Sequence, residues 1–253
     1  KVLLVDDNEL NQQLGSELLT NAGLLVDLAD NGQMALDMLN EHTYELVLMD
    51  MQMPVMDGIT ATKAIRQSAR WQSLPILAMT ANAMASDRDR CLAAGMNGHI
   101  PKPIDPAILY EAMLQWIAPR AADDPQPEES LAPMPPQAAA APEVLAALGA
   151  IPGLNVDNGL SRTLNQFHLY ESLLRRFLQG PANAVQTARR HLSAGETVDA
   201  ERAIHTLKGT ASTIGAQDIA TLAATVEQML KQGASIESTQ APLLQLELQL
   251  NAF

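Results

Sequence analysis

Residues 119–142 form a proline- and alanine-rich segment that separates two parts of the chain with different hydrophobic patterns. The segment contains 7 of the chain's 15 prolines, 7 alanines and four acidic residues, and it has no aromatic residue. Such a composition cannot bury a core, and proline-rich tethers extend by about 3.1 Å per residue. Because 253 residues are also many for one domain, we expect two domains, 1–118 and 143–253, joined by a linker.

Short apolar segments alternate with amphipathic ones throughout residues 1–118. The strand candidates are 2–5, 24–28, 46–49, 75–79 and 99–100, and the helix candidates are 8–21, 32–41, 58–69, 84–94 and 106–117. Apolar strands that alternate with helices are typical of a parallel sheet covered on both faces. We therefore predict an α/β fold with a doubly wound, five-stranded parallel sheet.

The pattern after residue 159 is helical throughout. We predict helices near 167–193, 197–213, 217–232 and 236–252, with a shorter helix before them. Antiparallel helices joined by short loops bury one apolar stripe each. The second domain is therefore predicted to be all-α, an antiparallel four-helix bundle.

The charge of the chain excludes some classes of partner. The net charge is -13, with -8 in residues 1–118 and -2 in residues 143–253, and such acidity repels nucleic acid and anionic lipid. No run of eighteen apolar residues is present, and the single cysteine excludes an internal disulfide. We expect a cytoplasmic segment with no nucleic-acid partner and no membrane contact.

Polar residues follow four of the five predicted strands at the point where each strand ends. Asp6 and Asp7 follow the first strand, Asp50 the third, Thr80 the fourth and Lys102 the fifth. The carboxyl ends of parallel strands meet at one edge of a sheet, where ligands of such folds bind. These five side chains are therefore expected to form one site.

Three crowded carboxylates repel one another unless a cation lies between them. A hard divalent ion with oxygen ligands, Mg²⁺, satisfies that need and leaves Asp50 ionised as a nucleophile for a phosphoryl group. Lys102 can then pair with Asp50 or with phosphoryl oxygens, and the Thr80 hydroxyl can donate a hydrogen bond to the same group.

Residues 1–118 resemble the receiver domain of two-component response regulators. The resemblance is in the acidic pair, in Asp50 with the downstream Met-Pro-Val-Met-Asp-Gly, in Thr80-Ala81 and in Lys102-Pro103, and Thr80 and Lys102 lie 30 and 52 residues after Asp50. It implies phosphorylation of Asp50 and a cis peptide before Pro103. It also implies Mg²⁺ bound by Asp6 or Asp7 with Asp50 and the backbone carbonyl of Gln52.

One position departs from the receiver pattern. Receivers usually have Tyr or Phe three residues before the lysine, as a rotamer switch coupled to the threonine, whereas this chain has His99. Imidazole is smaller and titrates near neutral pH. By the resemblance, His99 and Ala81 are the expected switch and docking residues.

His205, Lys208 and Gly209 form a second cluster, on a predicted helix of the second domain. They lie one turn apart on the flank of an apolar stripe formed by Ile204, Leu207, Ala211 and Ile214. A partly exposed imidazole can accept a phosphoryl group, and Lys208 can stabilise the added charge. Glycine costs about 1 kcal/mol in a helix interior, which makes sense at Gly209 if a side chain there would block a protein from reaching His205.

Residues 159–253 resemble a histidine-containing phosphotransfer (HPt) domain. The family's His-x-x-Lys-Gly motif with a later Gly-Ala corresponds to His205, Lys208, Gly209 and Gly215-Ala216. The whole chain then resembles the C-terminal part of a hybrid sensor histidine kinase, in the protein-histidine kinase class. This resemblance implies a longer parent protein, anchored in a membrane, whose ATP-binding kinase core lies upstream of this segment.

The resemblance also implies a route for the phosphoryl group. It passes from a kinase phosphohistidine to Asp50, then to His205, then to a separate response regulator, and the reverse direction could drain that regulator. Two alternatives stay open: a non-catalytic adaptor, and a phosphatase with an aspartyl nucleophile, although such enzymes need a second acid where this chain has Gln52.

Overall fold

The computed structural model describes residues 1–81, 85–117, 142–180 and 183–253, which form two compact units. One unit is built on a β-sheet and the other on the C-terminal helices. Of the predicted linker, residues 119–142, only Pro142 lies within the described residues, as the first residue of a helix. The domain boundaries therefore stay a prediction.

The sheet has five parallel strands in the order β2-β1-β3-β4-β5, which confirms the predicted doubly wound α/β fold. The strands are β1 (Val2–Val5), β2 (Val26–Ala29), β3 (Leu46–Asp50), β4 (Ile76–Thr80) and β5 (Gly98–Pro101). The helices that alternate with them are α1 (Glu9–Asn21), α2 (Gly32–Glu41), α3 (Gly58–Gln67), α4 (Ala85–Ala94) and α5 (Pro106–Trp116).

The central strands are buried and the edge strands are not. Every residue of β1, β3 and β4 is buried, whereas β2 and β5 are partly exposed. The prediction of β2 at 24–28 was displaced, because the strand begins at Val26 and Leu25 is 72% exposed. Because an edge strand such as β2 is partly exposed, the run of apolar residues in its sequence does not coincide with the residues that pair in the sheet.

The helical unit contains α6 (Pro142–Gly149), α7 (Val156–Arg162), α8 (Phe167–Gln179), α9 (Ala184–Ser193), α10 (Thr197–Ile214), α11 (Gln217–Lys231) and α12 (Ile236–Ala252). Helix α10 packs against α9 and α11, and α12 packs against α11 and α9. Two to four residues join these four helices in turn, a length that makes neighbours antiparallel. The predicted bundle is therefore present. In the described residues, no helix has the length and apolar character needed to span a bilayer.

The predicted single helix at 167–193 is wrong, because two helices, α8 and α9, occupy this range. Helix α8 ends at Gln179, and the next two residues of the sequence are glycine and proline. Proline lacks the amide hydrogen that a helix interior needs. Apolar residues recur at helical spacing on both sides of the break, so the apolar pattern of the sequence does not reveal it. Pro181 itself lies outside the described residues.

The turn between α10 and α11 is fixed by a glycine in the left-handed region. Gly215 has φ of 85° and ends α10. Its carbonyl oxygen accepts a hydrogen bond of 2.8 Å from the Asn155 amide at the start of α7. A Cβ on Gly215 would collide with the backbone carbonyl oxygen of Asn155, which cannot move without breaking this contact.

We predict that Gly215→Ala lowers the free energy of unfolding of the helical unit by about 3 kcal/mol or more, since left-handed strain and a backbone collision add together. Gly195→Ala is the matched control. Gly195 is also in the left-handed region, with φ of 78°, but in the part of the chain that the structure describes nothing lies within 4 Å of the added Cβ. Only the strain of about 1–2 kcal/mol therefore remains. Urea unfolding measures both changes, and equal losses would contradict the role given to the Asn155 contact.

Candidate functional site

The register of the sheet brings the acidic residues of β1 and β3 together. Val5 of β1 pairs with Met49 of β3, so Asp6 and Asp50 follow at the same level on adjacent strands. The strand order reverses here, because β1 lies between β2 and β3. This reversal point, at the carboxyl ends of the strands, is where α/β folds of this type bind ligands.

Three carboxylates converge at this point. Asp6, Asp7 and Asp50 each offer an oxygen, and these oxygens lie within 4.8 Å of one another. Asp6 and Asp50 are buried and Asp7 is partly exposed. An all-oxygen, anionic set with one side open to solvent fits a hard divalent cation.

Lys102 supplies positive charge between two of these carboxylates. Its Nζ lies 2.6 Å from Oδ2 of Asp6 and 2.8 Å from Oδ2 of Asp50, and all three side chains are buried. Burial alone would lower the pKa of Lys102, but the charges of Asp50 and Asp6 and their hydrogen bonds outweigh it and raise the pKa above its usual value. The predicted pairing of Lys102 with Asp50 is present, and Asp6 is a second partner. The peptide between Lys102 and Pro103 is cis, as expected.

Thr80 ends β4 beside this cluster. It is 3% exposed, and within the described residues its Oγ1 is buried without a hydrogen-bond partner. The amide of Lys102 donates to its carbonyl oxygen at 2.7 Å, so β4 and β5 hold the two side chains at one edge of the sheet. A buried hydroxyl without a partner costs about 1–3 kcal/mol, and an acceptor oxygen placed at this edge would remove that cost.

The remaining predicted residues of the sheet unit lie around this cluster. The amide of Gln52 is 3.4 Å from Oδ1 of Asp50, which places its backbone next to the carboxylates. His99 pairs with Ala78 in the β4–β5 register and is partly exposed. Ala81 directly follows Thr80 and is also partly exposed. The switch and docking roles of His99 and Ala81 stay predictions.

His205 lies in the middle of α10, on the side that faces α11. Ile204 and Leu207 beside it are fully buried in the core, while the His205 side chain keeps 13% of its surface exposed. Its Nδ1 lies 2.7 Å from Oε1 of Glu227 on α11. Since a carboxylate can only accept, Nδ1 carries the hydrogen in this contact, and in the neutral ring Nε2 therefore keeps its lone pair.

Glu227 is a site residue that the sequence analysis missed. Its side chain is 5% exposed, and it also accepts a hydrogen bond of 2.6 Å from Nζ of Lys208 to Oε2 and one of 2.6 Å from Nζ of Lys231 to Oε1. Burial would raise the pKa of Glu227, but the hydrogen bonds that it accepts from His205, Lys208 and Lys231 outweigh this and hold the pKa far below its usual value. The sequence did carry a signal for this residue, because Glu227 occupies a position within the otherwise apolar, buried stripe of α11.

The space beside His205 is open. Gly209 lies one helical turn after His205. Apart from the adjacent residues and the backbone of α10 itself, none of the described residues has an atom within 4 Å of a Cβ added there. This glycine is therefore not required by packing within the helical unit, which agrees with the expectation that it keeps an approach to His205 clear.

Comparison with known families gives two matches. The response regulator receiver domain matches residues 2–114, and the Hpt domain matches residues 172–253. The first match contains all the strand-end residues, and the second contains His205, Lys208, Glu227 and Lys231. Together, the two domains indicate phosphorelay signalling.

Several relatives are histidine kinases. The chain is 43% identical over 122 residues to sensor histidine kinase GacS of Pseudomonas protegens, a match that covers 46% of this chain and 13% of that protein. It is 39% identical over 115 residues to the signal transduction histidine-protein kinase BarA of Escherichia coli K12, covering 46% of this chain and 12% of that protein. The matched part is thus a small fraction of these relatives' length.

A similar solved structure is the receiver domain of sensor histidine kinase PA1611 from Pseudomonas aeruginosa, described with a magnesium ion in its active-site cleft. Its sequence is 39% identical to this chain, and the match covers 46% of this chain and 94% of that chain with a TM-score of 0.43.

From the two family matches, the chain consists of a response regulator receiver domain followed by an Hpt domain, and its homologues include hybrid sensor histidine kinases.

Proposed function

We propose that the chain relays a phosphoryl group from a kinase phosphohistidine to Asp50, from Asp50 to His205, and from His205 to the aspartate of a downstream response regulator. The observation that most supports this is the orientation of His205, whose Nδ1 is bound to Glu227 and whose Nε2 is left to act as a nucleophile. An imidazole held in this way suits transfer better than it suits a passive adaptor.

The first step exchanges a nitrogen–phosphorus bond for an oxygen–phosphorus bond. A carboxylate oxygen of Asp50 attacks phosphorus, the bond to the donor's imidazole breaks, and the donor nitrogen keeps the electron pair. Lys102 and the Thr80 hydroxyl can donate hydrogen bonds to the phosphoryl oxygens. Positioning and charge neutralisation supply the catalysis, as in phosphoryl transfer generally.

The second step uses the arrangement around His205. Nε2 attacks the phosphorus on Asp50, the oxygen–phosphorus bond breaks, and the Asp50 carboxylate leaves with the electron pair. The ring keeps its hydrogen on Nδ1 and gains positive charge, which the Glu227 carboxylate stabilises. Lys208 can donate a hydrogen bond to the transferred phosphoryl group.

Mg²⁺ belongs to the first site. Asp6, Asp7 and Asp50 would hold the ion, with the Gln52 carbonyl as a further ligand. When bound, the ion supplies positive charge against the phosphoryl oxygens.

The partners follow from the same proposal. A kinase core is the expected donor, in the same full-length polypeptide, and the receiver of a separate response regulator is the expected acceptor. We further propose that this segment works in the cytoplasm, as part of a protein anchored in the inner or plasma membrane.

Two variants test the order of transfer. With Mg²⁺ and a labelled small acyl phosphate, we predict that Asp50→Asn abolishes label on His205, because the donor then lacks its first acceptor. His205→Gln should keep Asp50 labelled for longer, since its exit is blocked. Base-labile and acid-labile label distinguish aspartyl phosphate from phosphohistidine. Label on His205 in the Asp50→Asn protein would contradict the proposed order, and no label on Asp50 in the wild type would rule out the relay.

Mg²⁺ should stabilise the wild-type receiver domain, because a ligand that binds only the folded state adds about 2.7 kcal/mol at a hundred times its dissociation constant. We predict that Asp7→Asn removes most of this gain in a thermal unfolding assay. Asp30→Asn, on the loop after β2, is a control that should keep it. An equal gain in both variants would show that Mg²⁺ binds elsewhere.

Gly209→Leu should slow transfer from Asp50 to His205 by at least about tenfold, because the added side chain fills the approach to His205. Gly209→Ala is the control, since it adds only a methyl group and should stabilise the helix by up to about 1 kcal/mol. The initial rate at which Asp50 is labelled should not change in either variant, although the label should stay on Asp50 for longer in Gly209→Leu. Rapid transfer in a stably folded Gly209→Leu protein would exclude an access role for this glycine.

A further inference from the structure

Lys231 lies outside the His-x-x-Lys-Gly motif, in the last turn of α11. Its Nζ lies 2.6 Å from Oε1 of Glu227 and 3.7 Å from Oε1 of Glu201 on α10. The Lys231 side chain is 43% exposed, while that of Glu227 is 5% exposed. The exposed lysine therefore reaches inward to a buried carboxylate.

Oε1 of Glu227 has two partners. His205 Nδ1 lies 2.7 Å from this oxygen and Lys231 Nζ lies 2.6 Å from it, while Lys208 uses Oε2. The carboxylate that orients the imidazole is thus also bound by two ammonium groups.

The charges of this cluster balance while the imidazole is neutral. Glu201 and Glu227 carry two negative charges, and Lys208 and Lys231 carry two positive ones. Protonation of His205 would give this cluster a net charge of +1. Without Lys231, one negative charge would remain beside the imidazole, and a nearby negative charge favours the protonated ring.

We propose that Lys231 is a positioning residue for His205: it offsets the negative charge of Glu227, so that Glu227 can orient the imidazole through Nδ1 without favouring the uptake of a proton from solvent at Nε2. This inference rests on the proposed phosphotransfer function. Protonated Nε2 has no lone pair and cannot form the bond to phosphorus. The lysine thereby favours the neutral, nucleophilic form of the oriented imidazole.

Other charged groups surround the cluster. Arg189 of α9 pairs with Glu247 at 3.0 Å, and His191 of α9 pairs with Glu196 at 2.6 Å. The further charged residues on α7, α9, α10 and α11, the helices that carry this site or pack against α10, are Asp157, Arg162, Arg190, Asp199, Arg202 and Asp218. Among the contacts described above, Glu227 is the charged group that binds directly to the His205 ring.

Lys231→Met tests this proposal through the pH dependence of transfer from phosphorylated Asp50 to His205. The pH of half-maximal rate should rise by on the order of one unit, so that the variant is about tenfold slower on the acid side. On the alkaline side, where His205 is neutral in both proteins, the variant should be no slower than the wild type. A lysine with a merely structural role would reduce the rate at every pH.

Matched variants isolate the charge. Lys231→Arg keeps the positive charge and should restore the wild-type profile. Arg175→Met removes the cation of another i,i+4 pair, Arg175 with Glu171 on α8, and should leave the profile unchanged. Lys231→Gln replaces Lys231→Met if circular dichroism shows that the methionine variant does not fold.

A second measurement separates this proposal from the relay itself. NMR titration of the His205 ring in the unphosphorylated chain needs no transfer. A higher midpoint in Lys231→Met than in the wild type would support the charge role even if no relay occurs. An unchanged midpoint together with an unchanged rate profile would overturn the role of Lys231 while leaving the relay intact.

Discussion

Compensation of buried carboxylates by lysine is the interaction on which both sites depend. Asp6 and Asp50 are buried at the ends of β1 and β3 with Lys102 between them, and Glu227 is buried on α11 beneath Lys208 and Lys231. An isolated buried carboxylate is so unfavourable that it would take up a proton. The lysines place positive charge directly against these carboxylates, and for Glu227 the hydrogen bonds from His205, Lys208 and Lys231 lower the pKa.

The two sites use the buried carboxylate differently. In the receiver domain Asp50 is itself the proposed nucleophile, so Lys102 must hold it without blocking it. In the Hpt domain the carboxylate is one step removed, because Glu227 orients the imidazole that would accept the phosphoryl group. The proposed transfer from Asp50 to His205 would start at a carboxylate held by one lysine. It would end at an imidazole oriented by a carboxylate that two lysines bind.

Much of the receiver site could be predicted because strand ends are visible in a sequence. Four of the five apolar runs are followed by a polar site residue, and parallel strands bring their ends to one edge whatever the details of packing. This reasoning identified Asp6, Asp50, Thr80 and Lys102. It did not predict the order of the strands in the sheet or the second partner of Lys102, which is Asp6. The helical unit was less predictable: an apolar period continued across the break between α8 and α9, so one helix was expected where there are two.

The sequence by itself determined the two classes of fold, the residues at the strand ends and the turn of helix that carries His205, Lys208 and Gly209. These features depend on neighbours along the chain, through alternation, helical spacing and composition. Only the tertiary structure decided that Glu227 and Lys231 join His205. They lie 22 and 26 residues further along, on another helix, and nothing local specifies which residues of α11 face α10. The rotation and pairing of packed helices decide that, because they depend on how all the buried side chains fit together at once.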